Sequence, residues 1–151
     1  MKVLFVCLGN ICRSPSAQGV LNLLAAQNNL DVVADSKGTA AYHIGKAPDP
    51  RSQACALERN IDLSGLKAEQ VLVDDFYNYD FVFAMDSDNL AHLQTLRPHD
   101  ATASLALFLQ DYGTLGEVNV PDPYYDGELA FNRVLDLLFD ACGRFLEVEC
   151  S

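Results

Sequence analysis

Residues 3–21, VLFVCLGNICRSPSAQGVL, constrain the fold more than any other part of this chain. Residues 2–6 form a short run, rich in β-branched and aromatic side chains and apolar on both faces after Lys2, which is typical of a central strand in a parallel sheet. Ser14 and Pro15 predict a helix start, with Ser14 as the N-cap and Pro15 as the first helical residue. The sequence therefore predicts a strand joined to a helix by the loop of residues 7–13.

Strands and helices alternate along the rest of the chain. Further strands are predicted at residues 31–35, 80–85 and 104–109, and further helices at 48–61, 89–96 and 129–147. This alternation implies right-handed crossovers and a parallel, doubly wound sheet, so the fold class is α/β. Ligands of such sheets bind beyond the carboxyl ends of the strands, which is where Cys7 stands. No repeat or linker divides the chain, and we expect one domain over residues 1–151.

Composition narrows the possible functions. The chain has 151 residues, half of them hydrophobic, and a net charge of −11. No lysine and arginine run exists that could neutralise nucleic-acid phosphates, so we expect no nucleic-acid partner. The apolar run near the N-terminus is too short for a signal peptide or a membrane span. Five cysteines, an odd number, do not indicate a disulfide framework, and a cytoplasmic location without membrane association is expected.

The loop CLGNICR at residues 7–13 has the chemistry of an oxyanion site. Successive backbone N–H groups can curl around a phosphate there, and the following helix adds partial positive charge. Gly9 and Asn10 tolerate the left-handed backbone that such a loop needs. Arg13 can bind two phosphate oxygens, and the same field would favour a thiolate at Cys7. The residues expected to bind the phosphate are Cys7, Leu8, Gly9, Asn10, Ile11, Cys12, Arg13 and Ser14.

Other interpretations of the loop fit the sequence less well. A cysteine at a strand end is often only a buried core residue. Zinc binding by Cys7 and Cys12 lacks a second pair of ligands at suitable spacing, so no metal is expected. A nucleotide-binding loop of the G-x-x-x-x-G-K-[ST] type does not occur in the chain.

A thiolate that attacks a phosphate ester needs an acid to protonate the leaving group. In VPDPYYD at residues 120–126, two prolines stiffen the loop around Asp122, as the placement of a single acid would require. Tyr124 and Tyr125 could form an apolar wall beside an aromatic leaving group. The alternative interpretation is a proline-stiffened turn in which Asp126 caps the last helix.

CLGNICRSP at residues 7–15, together with DPYYD at residues 122–126, resembles the low-molecular-weight protein tyrosine phosphatase family. The similarity also covers residues 35–39, 48–51 and 84–86, in the order expected of that family. The resemblance implies a four-stranded parallel sheet of order 2-1-3-4 with helices on both faces. It also implies hydrolysis of phosphotyrosine through a cysteinyl-phosphate, without a metal or cofactor.

The resemblance also assigns roles to individual residues. It makes Cys7 the nucleophile, Arg13 the clamp for the phosphate and the transition state, and Asp122 the general acid and base. It assigns to Asn10, Ser14 and Ser36 the support of the loop and the thiolate. The cleft walls it implies are Tyr42 on one side and Tyr124 and Tyr125 on the other.

The resemblance further pairs Cys12 with Cys7 in a reversible disulfide, which would protect the nucleophile from irreversible oxidation. One departure stands out, because many relatives have a histidine and an arginine where this chain has Leu66 and Glu69. That histidine supports the phosphate loop in relatives, so its absence predicts a less rigid Asn10 region.

The expected partners are tyrosine-phosphorylated proteins, and the expected state is a monomer or a weak homodimer. Two other functions stay open at this point. An arsenate reductase would use the same anion loop on the same fold, although it needs further thiols to relay a disulfide. A non-catalytic phosphate-binding module would need neither the nucleophile nor the acid.

Overall fold

The computed structural model describes residues 1–150, in which four parallel strands form one sheet of order β2-β1-β3-β4. The strands are β1 Lys2–Cys7, β2 Val33–Gly38, β3 Phe81–Ala84 and β4 Ser104–Leu107. The predicted α/β class, the parallel pairing and the order 2-1-3-4 are all confirmed.

Six helices accompany the sheet in the described residues. They are α1 Arg13–Gln27, α2 Pro50–Leu57, α3 Asp75–Asn78, α4 Ser87–Leu96, α5 Phe108–Tyr112 and α6 Glu128–Glu149. The core residues of α1, α2, α5 and α6 share one hydrophobic cluster, whereas those of α3 and α4 belong to a second one. Helices therefore cover both faces of the sheet, as expected.

Strand β1 connects the two hydrophobic clusters because its side chains alternate between the faces. Val3 and Phe5 belong to the cluster that contains α1 and α6, whereas Leu4 and Val6 belong to the cluster on the α4 side. All four side chains are fully buried. A strand buried on both faces is apolar at consecutive positions, which is why the pattern identified it in the sequence.

The helix start after the loop differs from its prediction. Helix α1 begins at Arg13, and its N-cap position is Cys12, which makes no side-chain capping bond. Ser14 lies inside the helix, and its hydroxyl lies 3.0 Å from the Cys7 sulfur. The expected N-cap role of Ser14 was wrong because this hydroxyl is engaged with the cysteine.

Element boundaries differ elsewhere by a few residues. Strand β2 begins at Val33 and extends to Gly38, later than predicted, and β4 ends at Leu107, where the short helix α5 follows. The last helix is capped by Gly127, not by Asp126. Within residues 1–150, no helix is both long enough and apolar enough to cross a membrane.

The sheet places Cys7 at its carboxyl edge. Cys7 is the last residue of β1 and pairs in register with Gly38 of β2. The Thr39 N–H donates to the Cys7 carbonyl at 2.9 Å, and the Ala40 N–H donates to the Leu8 carbonyl at 3.0 Å. Hydrogen bonds from the neighbouring strand therefore continue into the loop and fix its first residues.

We predict that Phe83→Ala lowers the free energy of unfolding by about 3–5 kcal/mol, because it removes the ring at the centre of the core. Phe83 is 1% exposed, and its ring centroid lies 6.0 Å from that of Phe5, 4.9 Å from that of Phe108 and 5.5 Å from that of Phe145. Urea unfolding measures the change. Leu129→Ala is the control, because that side chain is 86% exposed; equal losses in both variants would contradict this assignment of the core.

Candidate active site

The loop between β1 and α1 is a tight turn around the Cys7 sulfur. Asn10 has a left-handed backbone with φ of 57°, and its N–H lies 3.3 Å from Cys7 Sγ. Of the two loop residues that tolerate a left-handed backbone, Gly9 and Asn10, only Asn10 adopts it. A Cβ at Gly9 would lie 3.0 Å from the His43 ring, so close packing is the structural requirement for glycine at this position.

The Asn10 side chain ties the loop to two other segments. Its Nδ2 donates to Ser14 Oγ at 2.9 Å and to Ser36 Oγ at 3.0 Å, and its Oδ1 accepts from the Glu69 N–H at 3.0 Å. Asn10 and Ser14 are fully buried behind the loop. They support the loop from behind, whereas the other loop residues face the cavity in front of it.

The Asn10 contacts bear directly on the substitutions at Leu66 and Glu69. The bond that holds Asn10 comes from the main-chain N–H of Glu69, which does not depend on the side chain at that position. Leu66 packs partly buried against the hydrophobic core. Three hydrogen bonds hold the Asn10 amide, and none of them involves the side chain of Leu66 or Glu69.

Arg13 is buried at the start of α1 and is held by two segments. Its Nη1 donates to Asp86 Oδ2 at 2.5 Å and to the Val120 carbonyl at 3.2 Å. Its Nη2 lies 3.8 Å from Asp122 Oδ2. Burial alone would lower the pKa of Arg13, but the negative charges of Cys7, Asp86 and Asp122 outweigh it and raise that pKa. The guanidinium is therefore a permanent positive charge at the loop.

Asp122 lies on a loop that is anchored to the sheet edge. The Val120 N–H donates to the Met85 carbonyl at 2.8 Å, directly beyond β3. Asp122 Oδ1 accepts from the Tyr124 N–H at 3.1 Å, which fixes the local turn. The carboxylate is about half exposed and faces Arg13, so it is accessible to a substrate and to water.

A surface cavity of about 350 Å³ opens in front of the loop. Ten of the residues predicted for the site line it, namely Cys7, Leu8, Gly9, Ile11, Cys12, Arg13, Tyr42, Asp122, Tyr124 and Tyr125. The other three predicted residues, Asn10, Ser14 and Ser36, lie behind the loop. The structure thus brings the candidate nucleophile Cys7, Arg13 and the candidate acid Asp122 to one cavity with tyrosines at its sides.

Cys12 is buried next to the candidate nucleophile, and both thiols are free. Burial raises the pKa of the Cys12 thiol to about 12, with contributions from Asp49 and Cys7 and partial opposition from Ser52. Cys12 is therefore a neutral thiol at physiological pH.

Sequence reasoning missed three participants. Asp86, which orients Arg13, follows the predicted third strand, so its position at the carboxyl edge was a usable signal. His43 lines the cavity beside Tyr42, and no motif assigned it a role. Gln18 accepts from Ser36 Oγ at 2.7 Å, and no sequence motif indicated this contact.

The family model for low molecular weight phosphotyrosine protein phosphatases matches residues 2–149. The chain belongs to that family. A Synechocystis protein assigned to the family is 42% identical over 149 residues, which cover 97% of this chain and 94% of that protein. The low molecular weight phosphotyrosine protein phosphatase of Homo sapiens is 36% identical over 149 residues, with the same coverage of 97% and 94%.

Solved structures of similar proteins have the same fold. A protein tyrosine phosphatase from Entamoeba histolytica superposes with a TM-score of 0.91 at 38% identity, covering 97% of this chain and 95% of that one. The Drosophila arginine phosphatase DARP superposes with a TM-score of 0.94 at 32% identity, covering 100% and 99%. Proteins with this fold thus include one phosphatase named for tyrosine and one named for arginine.

We predict that Asp86→Asn slows turnover of an aryl phosphate by about 10- to 100-fold, because an amide NH₂ in place of the carboxylate oxygen would face the Arg13 donors. The Asp86 Oδ1 bond that caps α4 can be retained by the asparagine oxygen, so the fold should persist. Steady-state kinetics measure kcat. Asp88→Asn removes the same charge from an exposed position of the same helix turn and should change kcat less than twofold; matched losses would mean that helix charge, not Arg13 orientation, is responsible.

We also predict that iodoacetamide between pH 6 and 8 modifies Cys7 and leaves Cys12 unmodified. The pKa of Cys12 is raised to about 12, so its reactive thiolate is scarce throughout that range. Peptide mass spectrometry after brief labelling locates the modification. Labelling of Cys12 at a rate comparable to that of Cys7 would show that the second thiol is ionised in the folded protein.

Proposed function

We propose that this chain is a protein-tyrosine-phosphatase in which Cys7, Arg13 and Asp122 carry out hydrolysis of phosphotyrosine. The observation that supports this most strongly is the convergence of all three side chains on one cavity. Cys7 stands at the strand end, Arg13 begins the following helix, and Asp122 reaches the same point from a loop more than 100 residues later. A site for binding alone would need only the arginine and the loop amides.

In the first step, the Cys7 thiolate attacks phosphorus, an S–P bond forms, and the bond between phosphorus and the tyrosyl oxygen breaks. Asp122, protonated at this stage, gives its proton to the departing phenolic oxygen. Arg13 binds the equatorial phosphate oxygens, on which negative charge is spread in the transition state. The hydroxyl of Ser14, 3.0 Å from the sulfur, supports the thiolate before the attack.

In the second step, water attacks the phosphorus of the cysteinyl-phosphate. The Asp122 carboxylate, now a base, takes a proton from that water, and the S–P bond breaks to release inorganic phosphate and the Cys7 thiolate. Because Asp122 is about half exposed, water can reach it. Each group returns to its starting state, so the cycle needs no metal and no cofactor.

The walls of the cavity favour an aromatic ester. Tyr42 lies on one side, and Tyr124 and Tyr125 lie on the other with ring centroids 4.9 Å apart. Arg51 lies over the Tyr124 ring at 5.4 Å, which steadies that wall. A phenyl ring entering between these tyrosines can pack against aromatic faces, an interaction that an alkyl phosphate would not gain.

The partners that fit this site are tyrosine-phosphorylated proteins. A single-domain chain of residues 1–151, acting as a monomer or weak homodimer in the cytoplasm, is the form that we propose. The family acts on phosphotyrosine substrates, and the chain's net charge of −11 gives no reason to expect a nucleic-acid partner. Reversible pairing of Cys7 with Cys12 would protect the nucleophile from overoxidation.

The two alternatives are less consistent with the site. Arsenate reduction needs several thiols that relay electrons to an external reductant. Cys12 is the second thiol that lines the cavity, whereas Cys55 and Cys142 are buried in the core. Burial raises the pKa of both of these thiols, which makes them poor nucleophiles. A phosphate-binding module has no use for an acid positioned beside the arginine.

We predict that Cys7→Ser abolishes hydrolysis of an aryl phosphate between pH 4 and 8, because a serine hydroxyl is not ionised there. Asp122→Asn should slow turnover by about 10²- to 10⁴-fold, since it removes general acid–base catalysis. Release of the phenol, followed by absorbance, measures both effects. Cys150→Ser and Asp126→Asn make the same exchanges outside the cavity and should retain wild-type rates.

The same assay separates the proposal from its alternatives. An inactive wild type that still gains thermal stability from phosphate would indicate a binding module, and arsenate reduction by an added thiol would indicate the reductase. Phosphoarginine is the informative second substrate, because one structural neighbour is an arginine phosphatase. Faster hydrolysis of phosphoarginine than of phosphotyrosine would refute the proposed preference for an aromatic ester.

A further inference from the structure

A continuous set of hydrogen bonds runs from the candidate nucleophile to helix α1. Cys7 Sγ lies 3.0 Å from Ser14 Oγ, which accepts from Asn10 Nδ2 at 2.9 Å. The same Nδ2 donates to Ser36 Oγ at 3.0 Å, and Ser36 Oγ donates to Gln18 Oε1 at 2.7 Å. Gln18 is therefore connected to the sulfur through three intervening side chains, although it does not line the cavity that holds Cys7.

Counting protons shows that these bonds have a preferred direction. A backbone N–H can only donate, so the Glu69 N–H requires an oxygen at Asn10 Oδ1. The Asn10 NH₂ group then faces both serines and gives one proton to each. Each serine oxygen accepts from Asn10, and each has a single proton of its own to donate elsewhere.

The destinations of the two serine protons differ. Ser36 gives its proton to Gln18 Oε1. Ser14 can give its proton to the Cys7 sulfur at 3.0 Å or to the Lys37 carbonyl at 3.3 Å. Because Asn10 already donates to Ser14, the Ser14 hydroxyl is free to donate to a Cys7 thiolate, which is the state required for nucleophilic attack.

We propose that Gln18 is a positioning residue that keeps this hydrogen-bond chain in its productive direction. Without an acceptor at residue 18, the buried Ser36 hydroxyl has no partner for its proton. The Glu69 N–H opposes a flipped Asn10 amide, but an unpartnered Ser36 proton would favour it, because the flipped amide would offer its oxygen to both serines. It would then draw the Ser14 proton away from Cys7. Gln18 acts together with the Glu69 N–H against this alternative because it accepts the Ser36 proton, and its effect on turnover rests on the function proposed above.

The surroundings of Gln18 support this role. Gln18 and Leu66 line one surface cavity of about 320 Å³, separate from the one in front of the phosphate loop. The Leu66 side chain has no polar atom, so it cannot accept the Ser36 proton. The Gln18 amide is thus the acceptor that the structure provides for this buried hydroxyl.

The first experiment measures thiolate formation at Cys7 without turnover. The rate of inactivation by iodoacetamide is recorded from pH 4 to 9 for the wild type, Gln18→Met, Gln18→Glu and Gln27→Met. Methionine keeps the length of glutamine without an acceptor of comparable strength, glutamate keeps an acceptor oxygen, and Gln27 is an exposed glutamine at the end of the same helix. The ionisable groups that line the cavity with Cys7 are unchanged in all four proteins, namely Arg13, Asp122, Cys12 and His43.

For Gln18→Met, the pH at half-maximal inactivation rate should rise by about one unit, and kcat/KM for an aryl phosphate at pH 6 should fall about tenfold. Gln18→Glu should stay within about threefold of the wild type, and Gln27→Met should be unchanged. An unshifted profile in Gln18→Met, or equal shifts in the methionine and glutamate variants, would overturn the proposal.

A second measurement distinguishes this role from a general loss of packing. Ser36→Ala removes the group through which Gln18 acts, so adding Gln18→Met to Ser36→Ala should cause no further shift of the inactivation profile. Additive shifts would refute transmission through Ser36. If Gln18→Met does not fold, the other two variants still test the proposal. Gln18→Glu must retain the wild-type inactivation profile, and Ser36→Ala must shift it. A wild type that shows this pH profile but no turnover would refute the proposed function and leave the role of Gln18 intact.

Discussion

The left-handed backbone at Asn10 is the constraint on which the site depends. It turns the chain so that the Asn10 N–H faces the Cys7 sulfur, while the Asn10 side chain binds behind the loop. A non-glycine residue in this conformation needs compensating contacts, and Ser14, Ser36 and the Glu69 N–H supply them. The shape of the candidate anion site is therefore set by contacts behind the loop, outside the cavity that Cys7 and Arg13 line.

Local electrostatics would allow so acidic a chain to hold a phosphate at the proposed site. The Arg13 charge is buried among three groups that are negative when ionised, Cys7, Asp86 and Asp122, so the guanidinium alone gives the site no net positive charge. The attraction for a dianion must then come from the combination of the guanidinium, the loop amides and the start of α1. The net charge of the chain acts on a ligand over about the Debye length, whereas these groups act at contact distance. The potential at the loop can therefore be positive although the net charge of the chain is negative.

The sequence predicted most of the fold and the front of the site, and it did so for physical reasons. The strand at residues 2–6 is buried on both faces, so its side chains are apolar at consecutive positions. The loop of residues 7–13 combines cysteine, glycine, asparagine and arginine, a combination that indicates an oxyanion site. The support behind the loop was not predictable, because Gln18 and the Glu69 N–H meet Ser36 and Asn10 only through the tertiary fold. A main-chain donor leaves no trace in residue identity, which is why the replacement of histidine and arginine by Leu66 and Glu69 seemed more disruptive than the contacts indicate.

The exposure of the cavity walls has a thermodynamic consequence. Tyr42 is 72% exposed and Tyr125 is 92% exposed, whereas the loop that would hold the phosphate is mostly buried. An arriving aromatic ring would thus remove apolar tyrosine surface from water, and this burial should make the heat capacity change of binding negative. Inorganic phosphate, which would engage only the loop and Arg13, should lack most of that component. Calorimetry at several temperatures would therefore resolve recognition of the ring from recognition of the anion within a single site.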